Sequence, residues 1–206
     1  MVELRGMYRE KEVKYDVALE RDEAKLLRDV ERIVLEFGFS IVPKESVTRR
    51  YEYFDTRELY AMHHSETVRK ISEFTPASEK GKFRYDYKKG LITERYEENY
   101  WSNRELNEEE MRRRLKLPEV YDGLEVKARA STRHTKRVLQ KNGTRIELAL
   151  DHFTLEGGLQ FKELELECKN GDDVKNERLG RRISDVLGLV RLEEQKYTRV
   201  MRMRGG

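Results

Sequence analysis

The sequence predicts one α+β domain built on a large antiparallel sheet or a closed barrel. Two observations carry this reading. Strand-like stretches follow one another without intervening helices through most of the chain, which favours antiparallel pairing. Several of those stretches also alternate charged and apolar residues with a period of two, the spacing at which a strand's side chains face opposite ways. In FKELELECK, residues 161–169, Glu163, Glu165 and Glu167 share one face and Leu164, Leu166 and Cys168 the other. The chain has 206 residues and no Gly-, Ser- or Pro-rich linker, so residues 1–206 read as a single domain.

Residues 10–20 read as the first strand. Residues 21–38 form an amphipathic helix: Asp22 is placed to cap it, Leu26, Leu27, Val30, Ile33, Val34 and Phe37 make its apolar stripe, and Gly38 ends it. Strands follow at 47–54, 66–74, 82–89 and 93–101. Residues 106–118 carry acids in the first turn, bases in the last and Pro118 at the end, the arrangement a helix dipole prefers. Further strands are expected at 123–131, 134–141, 144–154 and 159–168, and a third helix at 172–189 with Gly188 as its stop.

Composition narrows the function. Hydrophobic residues make up 37% and charged residues 40%, the latter well above the roughly 25% of an average soluble protein. Basic and acidic residues nearly cancel, 43 against 40, so a one-sided nucleic-acid tail is absent and no DNA partner is expected. No stretch approaches the roughly 18 apolar residues of a membrane span, and the N-terminal segment does not read as a signal peptide. The single cysteine, Cys168, excludes an internal disulfide framework and fits a reducing cytoplasm; its place on an apolar strand face predicts burial rather than reactivity. The four histidines have no metal-ligand spacing, and no HExxH, Walker A or GxSxG stretch occurs.

Most strands present one charged face: Glu10, Glu12 and Lys14; Thr67, Arg69 and Ile71; Arg84, Asp86 and Lys88; Arg95 and Glu97; Glu125, Lys127 and Arg129; Arg145, Glu147, Ala149 and Asp151; and the three glutamates of 163–167. Two architectures fit. One is a sheet with its charged side in water. The other is a barrel with a charged lumen and helices packed outside, in which aligned carboxylates need opposing cations or a bound metal. Carboxylates suit hard cations such as Mg²⁺ or Mn²⁺, and Arg and Lys suit phosphate oxygens. A metal with a polyphosphate would use both.

The order of motifs resembles the CYTH, or triphosphate tunnel metalloenzyme, superfamily. EKEVK (10–14) resembles its opening ExExK, YFDT (53–56) its second-strand marker, Val68-Arg69 its Leu-Arg-x-Arg strand, and YDYKKG (85–90) its Thr-x-Lys-Gly strand. RYE (95–97) resembles its Arg-x-Glu, Arg133 sits at its arginine-rich strand, IELALD (146–151) and ELELECKNG (163–171) resemble its late acidic strands, and QKYTR (195–199) its C-terminal Lys-Ser-Tyr element. Ile71 departs from the pattern by standing at the second arginine of Leu-Arg-x-Arg. The family's late Glu-x-Glu falls on Glu163/Glu165 or on Glu165/Glu167, with the CKNG spacing favouring the second pair.

The resemblance implies an α+β fold with a closed, antiparallel, eight-stranded barrel, the tunnel, and helices packed outside. It implies metal-dependent hydrolysis of a triphosphate, with bacterial inorganic triphosphatases the most similar in motif. On this basis Glu12, Lys14 and Glu165 would be catalytic. Glu10, Glu12, Asp151, Glu163, Glu165 and Glu167 would hold Mg²⁺ or Mn²⁺, and Lys14, Arg69, Lys88, Arg95, Arg129, Arg133 and Lys196 would clamp the triphosphate. The family also contains class IV adenylyl cyclases and nucleoside and thiamine triphosphatases, which stay as alternatives, as does a non-catalytic module that binds polyphosphate or an RNA end. The expected partner is a small-molecule triphosphate. Oligomeric state is left open by the sequence, a homodimer included.

Overall fold

The computed structural model of the chain describes residues 8–44, 46–75, 78–91 and 94–205; the side chains of 8–11, 75, 78–81, 91, 94 and 95 lie outside the description. The elements run β1 (Tyr8–Val17), α1 (Glu23–Glu36), β2 (Ser40–Pro43), β3 (Val47–Asp55), α2 (Tyr60–His63), β4 (Glu66–Thr75), β5 (Ser78–Leu91), β6 (Glu94–Ser102), α3 (Glu108–Leu115), β7 (Glu125–Lys141), β8 (Thr144–Leu155), β9 (Gln160–Asn170), α4 (Asp173–Leu187), β10 (Val190–Arg191) and α5 (Lys196–Gly205).

All strands join one antiparallel sheet in the order β10-β1-β6-β5-β4-β3-β7-β8-β9, with β2 beside β7. One edge of β1 pairs with β9 along Lys11–Val17. Its other edge meets β6 only along Tyr8–Glu10, and at Tyr15 and Asp16 that edge carries β10 instead. The expected closed eight-stranded barrel is thus corrected to a ten-stranded sheet that curls back on itself, with a short seam between β1 and β6. The two additional strands are short. Residues 123–131 and 134–141, expected as separate strands, form the single 17-residue β7. No glycine or proline interrupts it, and it keeps β3 on one edge and β8 on the other through Ser131–His134.

The described residues also include two helices the sequence reading lacked, α2 and α5. The buried face of α5 is Lys196, Tyr197, Arg199 and Val200, so no apolar stripe advertises it. Tertiary contacts hold it, as they hold most short helices.

Two apolar clusters flank the sheet. In the first, α1 and α4 cover the outer faces of β1 (Val13, Tyr15, Val17), β8 (Ile146, Leu148, Leu150) and β9 (Leu164, Leu166). Cys168 is buried on the same side of β9, and burial pushes its thiol up to about 11. Gly180 lets α4 sit close on β1, because a Cβ there would lie 2.6 Å from Tyr15 Oη and 2.8 Å from Val13 Cγ2. The second cluster gathers Tyr53, Tyr85 and Tyr87 with Met111 and Leu115 of α3, together with Phe153, Phe161, Tyr197 and Val200. Asp55, fully buried, accepts hydrogen bonds from the amides of Thr56 and Ala61 at 2.8 Å and from Tyr197 Oη at 2.8 Å. The YFDT stretch is therefore scaffold: its carboxylate ties β3 to α2 and α5.

A charged cavity as the candidate functional site

Period-two alternation turns one face of each long strand toward a common cavity of about 160 Å³. Among the described residues, eight cations line it: Lys14, Arg49, Arg69, Arg84, Lys88, Lys136, Lys169 and Lys196. Six carboxylates among the described residues accompany them: Glu12, Glu97, Glu147, Asp151, Glu165 and Glu167. The carboxylates concentrate on β8, β9 and β1. Strand register sets Glu12 beside Glu167 and Glu167 beside Glu147, a row of three carboxylates across three adjacent strands. Cations supply β3, β4 and β5, the strands farthest from β9 along the circuit of neighbours.

Like charges on neighbouring strands repel, and cations lie among them. Lys14 Nζ is 2.9 Å from Glu12 Oε1 and 3.4 Å from Glu165 Oε1. Lys196, delivered by the first turn of α5, lies 2.7 Å from both Asp151 Oδ2 and Glu165 Oε1. Lys136 Nζ is 2.6 Å from Glu147 Oε2, and Lys169 pairs with Glu167. Burial works against charge at Glu165, yet Lys196 and Lys14 outweigh it and hold the carboxyl below the usual range. At Asp151 burial is likewise outweighed, here by Lys196 and His134. On the basic side, Arg69 donates to Asp86 at 2.8 Å and Arg84 pairs with the same carboxylate at 2.9 Å. Burial resists ionisation of Asp86, but the two guanidiniums bring it down to about 2. Lys88 lies 3.4 Å from Glu97.

The structure brings Glu12, Lys14, Arg69, Lys88, Asp151, Glu165, Glu167 and Lys196 to this cavity. It places other expected residues elsewhere. Arg129 and Arg133 are exposed on the outer face, paired with Glu52 and with Glu23 of α1. The cause is parity: the register with β3 sets Ala128 and Ala130 opposite Tyr53 and Tyr51, so from Ala128 to Lys136 the even-numbered β7 residues point inward and the odd-numbered ones outward. Glu163 does not line the cavity. It is buried beside Arg199, 3.2 Å away, and burial pushes its carboxyl up to about 7. Asp151 has both oxygens engaged, Oδ1 by His134 Nδ1 at 2.6 Å and Oδ2 by Lys196, and so holds those two side chains in place. The side chains of Glu10 and Arg95 lie outside the described residues; their backbones pair with each other across β1 and β6. Lys136, which lies near Arg133 in the arginine-rich strand, is at the cavity; the sequence reading missed Arg49, Lys169 and His134. For Arg49 and His134 only strand parity could have revealed them, and β3 and β7 carry charges on both parities; Lys169 continues the odd-numbered face of β9 that holds Glu165 and Glu167.

Among the described residues, no three acidic, histidine or cysteine side chains converge as a formed metal centre. The donor chemistry nonetheless suits a hard cation, since Glu12, Glu165 and Glu167 offer carboxylate oxygens to one cavity on paired strands. Among the described residues, no helix is long and apolar enough to cross a membrane.

No known family model matches the chain, and no curated protein does. Solved structures share its fold. The PH1819 protein from Pyrococcus horikoshii superposes with a TM-score of 0.58 at 17% identity, covering 96% of this chain and 99% of its own. A candidate adenylate cyclase from Bacillus halodurans gives 0.55 at 16% identity, covering 93% and 98%. A candidate adenylyl cyclase from Hippeastrum, for which a dominant triphosphatase activity is described, gives 0.54 at 14% identity, covering 94% and 95%. Over nearly its whole length this chain therefore shares the fold of these proteins.

Proposed function

We propose that the protein is a metal-dependent hydrolase of a triphosphate, with inorganic triphosphate the favoured substrate, bound in the charged cavity enclosed by the long strands. The observation that carries this reading is the division of the cavity into a carboxylate wall on β8, β9 and β1 and a cationic wall on β3, β4 and β5. Such a site accepts a divalent cation on one side and a polyanion on the other. The ordered motifs from EKEVK to QKYTR support it, as does the shared fold.

Arg69 and Arg84 present guanidinium forks suited to phosphate oxygens, and Arg49, Lys88 and Lys136 add charge around them. Asp86 fixes the first two in place. Lys14 and Lys196 bridge the two walls. Glu12, Glu165 and Glu167 would hold Mg²⁺ or Mn²⁺. When bound, such an ion neutralises charge on phosphoryl oxygens and acidifies coordinated water. Positioning and charge stabilisation by the cationic wall carry much of the remaining barrier, as in phosphoryl transfer generally.

The test is phosphate release by the purified protein with Mg²⁺ or Mn²⁺, comparing inorganic triphosphate, ATP and thiamine triphosphate. Release from inorganic triphosphate in preference to the others is the expected result. Formation of pyrophosphate and cyclic AMP from ATP, or binding of all three with no turnover, would overturn the reading. Glu12→Gln should abolish turnover while the melting temperature stays within a few degrees of wild type; full metal-dependent activity would remove Glu12 from the site.

A further inference from the structure

His134 belongs to no motif that led to the cavity, yet it is buried at the cavity wall and its ring is held in one orientation. Nδ1 lies 2.6 Å from Asp151 Oδ1, and the other oxygen of that carboxylate is engaged by Lys196 at 2.7 Å. A carboxylate accepts from the ring, so Nδ1 donates to Asp151 and Nε2 is the ring nitrogen left to face a further partner. Nε2 is buried and has no hydrogen-bond partner among the described residues. Leaving a buried polar atom unsatisfied costs about 1–3 kcal/mol, and proteins tolerate that cost where the atom has a task. The ring contacts Asp151 of β8 and shares the cavity with Lys196 of α5, Arg49, Lys136 and Glu147.

We propose that His134 is the general base of the hydrolytic step, with Asp151 as its positioning residue. The assignment rests on the triphosphate-hydrolysis reading above. Arg49 and Lys136 share the cavity with His134 and pair with Glu73 and Glu147; in the proposed step they shift onto the bound triphosphate and leave the cavity side of the imidazole open. In the step, Nε2 takes one proton from a water molecule while the water oxygen bonds to the terminal phosphorus. The bond from that phosphorus to the bridging oxygen breaks, its electron pair leaves with pyrophosphate, and the imidazolium passes its proton to solvent or product. Carboxylate-oriented imidazoles serve this role on unrelated folds.

The test compares wild type with His134→Gln and His134→Asn. Turnover of inorganic triphosphate is measured with Mg²⁺ or Mn²⁺, and calorimetric binding of inorganic triphosphate is measured without divalent cation. The expected result is a fall in kcat of about 10²–10⁴-fold, the usual range for general-base catalysis, with binding changed by less than about threefold. Turnover within about threefold of wild type, or a loss of binding that accounts for the loss of rate, overturns the proposal while leaving hydrolysis standing. A wild-type protein that hydrolyses no triphosphate overturns both. Should the variants fail to fold, ¹⁵N spectra of the histidines in the wild-type protein decide: a neutral His134 protonated on Nδ1 supports the proposal, and one protonated on Nε2 overturns it whatever the activity.

Discussion

Lys196→Met isolates the electrostatic linchpin of the cavity. The methionine keeps most of the aliphatic stem over the Phe153 ring, whose centroid lies 5.1 Å from the ammonium, so the change removes charge more than volume. It deprives Asp151 and Glu165 of a cation at 2.7 Å and Glu163 of one at 4.0 Å, all in a site where Lys196 itself is only 8% exposed. Removing one partner of a buried pair costs about 3–5 kcal/mol, which for a chain of this length is roughly 6–20 °C in melting temperature. The pH dependence has a definite sign. In the wild type, Lys196 helps hold Asp151 and Glu165 down, so their contribution is present above the ordinary carboxylate pKa and fades as the pH falls through the depressed values. Without Lys196, burial pushes the same groups up, and the variant loses stability as the pH rises through the raised values. The gap between the two proteins should therefore widen from pH 5 to pH 8. Urea denaturation at those two pH values measures it. A variant as stable as wild type at pH 8, or one with the same deficit at both, would refute the reasoning.

Other perturbations probe the parity of the strands and the packing beneath them. Arg129→Ala and Arg133→Ala should each leave kcat/KM for triphosphate within about twofold, because both side chains point outward to Glu52 and Glu23, whereas Arg69→Ala should cost more than about 100-fold; steady-state kinetics separates them. Gly180→Ala gains about 1 kcal/mol of helix propensity but drives a methyl group to within 2.6 and 2.8 Å of Tyr15 and Val13. Overpacking of about 1–3 kcal/mol should win, lowering the denaturation midpoint without changing the activity per folded molecule.

What could be read from the sequence depended on whether a strand declared its faces. β1 and β9 did, because Val13, Tyr15 and Val17 alternate with Glu12 and Lys14, and Leu164 and Leu166 with three glutamates, so the acidic wall was legible residue by residue. β7 did not. Its inward face is Ala128, Ala130, Thr132, His134 and Lys136, its outward face holds Arg129, Arg133 and Arg137, and the more heavily charged face is the wrong one for a ligand. The inversion has a packing cause: Tyr51, Tyr53, Phe153 and Phe161 fill that end of the enclosure, with Tyr51 5.5 Å from Phe153 and Phe153 stacked on Phe161 at 4.6 Å, leaving β7 room only for small side chains. Outside, the arginines reach α1 and β3 across exposed surface. Long strands with charge on both faces thus hide their parity, and only the cross-strand partner settles it. The same limit hid His134. Its chemistry lies in two contacts, with Asp151 on the next strand and, through it, with Lys196 some sixty residues away on a helix that propensity did not mark. A carboxylate–imidazole pair of this kind is a property of register, and register is fixed by the whole sheet rather than by any local stretch of sequence.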